Sequence, residues 1–140
     1  MTCSARCSPQ AIVAEGPAST ARHTAQQIAR ERGQALGERI RTERRLGRLG
    51  PERALTVLGE LLAACGYAPA RAPARLQLLL RNCPFQQLAR RAPELVCGLN
   101  QQFLAGLLAG LRSRRVDAVL QPDAAADPTR CCVLLQEATH

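Results

Sequence analysis

Apolar residues recur at spacings of three and four through much of the chain and alternate with polar ones in its later stretches. Over residues 21–46, Ala25, Ile28, Ala29, Arg32, Leu36 and Ile40 fall near one face, with Arg30, Glu31, Glu38, Arg41 and Arg45 opposite. That spacing predicts a helix, weakened at Gly33 and Gly37 by roughly 1 kcal/mol each against Ala. Two small residues four apart also let another helix approach closely, which makes 21–46 a candidate linker and dimerisation helix. Gly47 to Gly50 break the pattern, and Pro51 suits the first turn of a second helix, where its missing N–H costs nothing. Its stripe is Ala54, Leu55, Leu58, Leu61, Leu62 and Cys65, with Gly66 as the stop.

After Gly66 the period changes. Tyr67 to Arg71 reads as extended, Ala72-Pro73-Ala74 as a turn, and Leu76, Leu78 and Leu80 as one face of a half-buried strand running into Asn82-Cys83-Pro84. Pro84 opens a short predicted helix through Ala92, and Pro93 a long one through about Arg112. The long helix carries Val96, Leu99, Asn100, Phe103, Leu104, Leu107, Leu108 and Leu111, with Gly106 and Gly110 allowing close packing. Val116 to Leu120 and Cys131 to Gln136 read as strands, joined by a turn-rich connection over 121–129. The order ααββααββ predicts an α+β fold, two N-terminal helices followed by ββααββ, with helices against one face of an antiparallel sheet. Residues 1–20 lack either period and read as a disordered leader. Residues 21–136 read as a single α+β domain, and 137–140 as a tail.

Composition narrows the chemistry. The chain has 140 residues, no Lys, no Trp, one Tyr and two His, and a net charge of +8. The all-Arg bias with abundant Ala, Gly and Pro is that of a GC-rich bacterial genome. No basic block is interleaved with aromatics or set on a recognisable reading helix, so the charge reads as solvated helix faces. No signal peptide and no membrane-spanning run is evident. The expected setting is therefore a reducing cytoplasm, where seven cysteines point to metal binding or plain burial before disulfides. Cys3 and Cys7 lie in the leader. Cys65 fits its apolar stripe as a small buried hydrophobe.

The remaining cysteines stand where regular elements start or turn. Cys83 lies at a strand-to-helix junction, Cys97 one turn into the long helix, and the pair Cys131-Cys132 at the opening of the last strand. Thiols near helix starts are favoured as thiolates and so suit zinc or an iron–sulfur cluster. For Cys131 to join Cys83 and Cys97, the last strand must lie beside the strand that leads to Cys83. Neighbours in a strand face opposite ways, so one of Cys131 and Cys132 is expected to serve, and the pattern alone does not select which.

Asn82-Cys83-Pro84-Phe85, Glu94-Leu95-Val96-Cys97-Gly98-Leu99-Asn100 and Arg130-Cys131-Cys132-Val133 together resemble the C-terminal domain of bacterial transcriptional regulators of the ArsR winged-helix type. These are related to the repressor of the suf iron–sulfur assembly operon, and the resemblance covers about residues 21–136. It implies a regulatory sensor domain, not an enzyme, that binds an iron–sulfur cluster, or alternatively zinc, through Cys83, Cys97 and Cys131, with Cys132 as the alternative to Cys131. It also implies a homodimer that works with a DNA-binding chain or a full-length homologue. The family's N-terminal winged helix is missing, since residues 1–20 are too short for it and have no helix-turn-helix pattern, so direct sequence-specific DNA reading is not expected of this chain by itself. Many relatives have His where this chain has Gln86, which leaves Asn82, Asn100, Glu94, water or a second subunit's thiol as the fourth ligand. The competing expectation is a metal-free structural or dimerisation module whose cysteines are core residues. Catalysis by a thiol needs a nearby base, and His23 and His140 are remote in sequence from the cysteine segments.

Overall fold

The computed structural model describes residues 20–72, 75–81, 91–121 and 130–138. Three helices, α1 (Thr20–Glu43), α2 (Pro51–Ala64) and α3 (Pro93–Gly110), accompany four strands, β1 (Ala68–Arg71), β2 (Gln77–Arg81), β3 (Val116–Leu120) and β4 (Arg130–Glu137). The fold is α+β, and the order of these elements is the expected one without the short helix. The short helix expected over Pro84–Ala92 falls almost wholly on residues 82–90, outside the described ones. None of the described helices is long and apolar enough to cross a membrane.

The strands form one sheet in the order β1-β2-β4-β3, with every neighbouring pair antiparallel. The last strand thus lies beside the one that leads to Cys83, as the ligand geometry required: Arg81 pairs with Arg130. Leu78, Leu80, Val116, Val133 and Leu135 point to one face and join the buried leucines of α2 and α3 in a single core. Between Arg81–Arg130 and Leu79–Leu134 the pairing slips, so that three residues of β4 stand opposite Leu80 alone.

All three described helices end in the same way. The N–H groups of Leu46, Tyr67 and Ser113 return to the carbonyls of Arg41, Leu62 and Leu108, closing a left-handed turn at Arg45, Gly66 and Arg112 (φ 52°, 101° and 57°). Only Gly66 is a residue that adopts this conformation without steric cost.

The buried face of α1 differs from the expected stripe. Ala25, Gly33, Gly37 and Ile40 are buried, whereas Arg32 is exposed. The glycines are the contact itself. A Cβ on Gly33 would meet the Phe103 carbonyl, one on Gly37 would lie 2.5 Å from the Leu107 oxygen, and Cβ atoms on Gly106 and Gly110 would run into the Arg30 and Gln34 carbonyls. Residue numbers rise together along both helices through these contacts, so α1 and α3 run parallel, backbone against backbone. The close approach anticipated at Gly33 and Gly37 is therefore made within the chain, by α3. That face is not available to a second subunit.

The same substitution should have opposite signs in two helices. Gly59, inside α2, would place its Cβ 3.9 Å from Leu78 Cδ1, an ordinary contact. Gly59→Ala is expected to stabilise by about 0.5–1 kcal/mol through helix propensity. Gly106→Ala is expected to destabilise by about 2 kcal/mol or more, because backbone and not a flexible side chain stands in the way. Urea denaturation of the two variants tests this contrast.

Candidate functional site

The amino-terminal half of α3 faces the start of β4, and the cysteines converge there. Pro93 starts α3, which sets Cys97 in its second turn and Asn100 one turn further on along the same side. Cys97 and Cys132 are joined by a disulfide, with a Cα–Cα distance of 5.9 Å, within the ordinary range for such bonds. Cys131 carries a thiol and is buried. Its sulfur accepts a hydrogen bond from Asn100 Nδ2 at 3.0 Å. The other end of the same amide, Asn100 Oδ1, accepts from the Tyr67 hydroxyl.

Each member is held by its own local structure. Tyr67 follows the left-handed Gly66, and its N–H bonds back to Leu62, which directs the ring inward from the end of α2. Tyr67 donates to Oδ1, and in this orientation of the Asn100 amide Nδ2 is presented to the sulfur. Cys131 and Cys132 both reach α3, although neighbours in a regular strand would face opposite ways. The slipped register of β4 accounts for this, since extra residues in a strand re-aim its side chains. The Cys132 carbonyl accepts from Gln121 N at 2.7 Å, which ties the same stretch to the end of β3. Tyr67, Cys97, Asn100, Cys131 and Cys132 are all 7% exposed or less.

Several cysteine expectations change here. Cys97 meets Cys132, which the resemblance had made the alternative, and Cys131 turns to Asn100. Cys65 is half-buried at the C-cap of α2 and is disulfide-bonded, where simple packing had been expected. Its partner is none of the other described cysteines, since Cys97 and Cys132 bond each other and Cys131 is a thiol. The expectation of metal or plain burial before disulfides does not describe this structure. Cys83 and Gln86 lie outside the described residues, as do Cys3, Cys7 and Asn82. Glu94 is exposed on the first turn of α3.

Among the described residues no group of three or more His, Cys, Asp or Glu is arranged to hold a metal ion. Zinc and iron–sulfur clusters take thiolates, and two of the converging sulfurs are bonded to each other. Reduction of that bond would leave Cys97, Cys131 and Cys132 as thiols on α3 and β4, the ligand type that such groups take. Compared with protein-family models, curated proteins and solved structures, the chain matches none.

Sequence reasoning placed Asn100 in the apolar stripe of the long helix and among the fourth-ligand candidates, but did not pair it with Tyr67. A signal was present: a polar amide inside an apolar stripe needs buried partners, and the chain has one Tyr to offer. Removing either partner should therefore be felt through the other. Tyr67→Phe and Asn100→Ala are each expected to cost about 1–3 kcal/mol, with a coupling of about 1 kcal/mol or more in the double variant. Chemical denaturation of the three variants measures it, and simple additivity would show that the two groups act independently.

Proposed function

We propose that the chain is a regulatory sensor domain of a bacterial transcriptional regulator, with the cysteines at the α3–β4 contact as its responsive element. The observation that carries this reading is the burial of three cysteines where β4 meets α3: Cys132 is bonded to Cys97, and Cys131 lies against Asn100, which Tyr67 braces. Their burial suits a group enclosed by the protein and gives a substrate little access, which favours sensing over catalysis. The resemblance to ArsR-type regulators supports the same class.

In the reduced chain, Cys97 with Cys132 or Cys131 would hold an iron–sulfur cluster or zinc, with Cys83, which lies outside the described residues, as the further donor that the resemblance implies. A cluster would supply a redox-sensitive group whose loss frees the thiols. The disulfide and the loaded site are then alternative states of the same sulfurs. The domain acts in the cytoplasm as a dimer, together with a DNA-binding module on a separate chain or a full-length homologue. Its own dimer contact lies away from the glycine face of α1, which α3 fills.

A second reading is a metal-free structural or dimerisation module. The disulfide favours it: a link across 35 residues stabilises a fold by about 2–4 kcal/mol without any sensing role.

Anaerobic purification, a visible absorption spectrum, and iron, sulfide and zinc analysis separate the two. The expected result is a brown protein containing iron and sulfide, with colour and metal lost in a still-folded Cys97→Ser variant. Zinc without iron would replace the cluster by a zinc site on the same thiols. A colourless, metal-free, well-folded protein under strictly anaerobic conditions would overturn cofactor binding and leave the structural module.

A further inference from the structure

Two adjacent cysteines of β4 reach α3, not one. Cys132 is bonded to it, and the Cys131 sulfur lies against Asn100, one turn along the same side of α3. We infer that Cys131 is a second disulfide partner for Cys97, so that the bond exchanges between Cys97–Cys132 and Cys97–Cys131. This rests on the reading of these cysteines as the responsive element.

The step is a thiol–disulfide exchange. The Cys131 thiolate attacks the Cys97 sulfur; the Cys97–Cys131 bond forms as the Cys97–Cys132 bond breaks; Cys132 leaves as a thiolate and takes up the proton that Cys131 gave. One disulfide and one thiol become another disulfide and another thiol, so no oxidant or reductant is consumed. Attack on Cys132 is disfavoured by geometry. Adjacent Cα atoms are about 3.8 Å apart, short of the ~4.4 Å at which ordinary disulfides begin.

Two observations favour Cys131 for this role. The first is the slipped pairing of β4, where Cys131 to Val133 stand opposite Leu80 alone. A strand in strict register could offer only one of two adjacent cysteines to α3. The second is the oriented Asn100 amide, held by Tyr67 and donating to the Cys131 sulfur. A donor so placed stabilises the negative charge that an attacking sulfur carries. The exchange would also have a structural output. The sulfur bonded to Cys97 decides where the extra residues of β4 sit, and through the Gln121–Cys132 hydrogen bond it reaches the end of β3.

The test uses the full oxidised chain, with Cys131→Ser and Cys132→Ser variants checked for folding by circular dichroism and their cross-links mapped by tryptic mass spectrometry. Cys131→Ser is expected to keep Cys97–Cys132, and Cys132→Ser to move the link to Cys97–Cys131. Adding Asn100→Ala to Cys132→Ser is expected to slow that bond several-fold. A folded Cys132→Ser protein with Cys97 and Cys131 both left as thiols, under conditions where the wild type is linked, would overturn the exchange. Alkylation of the oxidised wild type gives an answer independent of the variants: label on both Cys131 and Cys132 supports exchange, and label on Cys131 alone overturns it. A wild type with no Cys97–Cys132 bond would overturn the disulfide beneath both the exchange and the redox reading, and is thereby distinguished from failure of the exchange alone.

Discussion

Carbonyl oxygens of α1 lie against the Cα atoms of Gly106 and Gly110, and carbonyls of α3 against those of Gly33 and Gly37. No side chain intervenes at these four positions, so the parallel helices are closer than side-chain packing permits. The rest of the structure depends on this approach. It holds α3 along one side, while the core of α2 and the sheet closes on the other, so that α3 is buried on most of its surface. A helix fixed this way is a rigid base for whatever its first turns carry.

Those first turns carry the sulfur site. Cys97 and Asn100 are presented by α3, Tyr67 by the glycine-terminated end of α2, and Cys131 and Cys132 by a strand that departs from regular register where it meets them. The two halves of the site therefore differ in how firmly they are held. The helical half is braced by backbone contacts at the glycines. The strand half is braced by the disulfide, the Asn100 hydrogen bond and the pairing around the slipped register. A chemical change at the sulfurs should be absorbed by β4, where the backbone already departs from regular pairing, and not by α3.

Much of the fold was legible because leucine periodicity dominates it. The stripes of α2 and α3 and the alternation of Leu78 and Leu80 follow from apolar spacing, whereas the placing of β4 beside β2 entered only as a condition for Cys131 to approach Cys83. Periodicity misled where burial is made by the absence of a side chain. Gly33 and Gly37 count as weak points in a propensity sum, yet they are the buried face of α1, and Arg32, assigned to that face, is exposed. Alternation likewise failed at Cys131–Cys132, since a shift in register cannot be read from one strand alone. The convergence of Cys97 with the last strand was anticipated. Its partner was not, because the choice between adjacent cysteines turns on that shift. The Tyr67–Asn100 bond joins residues 33 apart that no local pattern links.

Hydrogen–deuterium exchange on the oxidised and reduced protein tests most directly whether the helix pair is the fixed base and β4 the responsive part. Exchange reads local opening segment by segment. On reduction without added metal, amides of Cys131 to Leu135 are expected to lose protection, while those around Gly33–Gly37 and Gly106–Gly110 keep theirs. Unchanged protection in β4, or loss of protection in α1 and α3 together with it, would contradict the account.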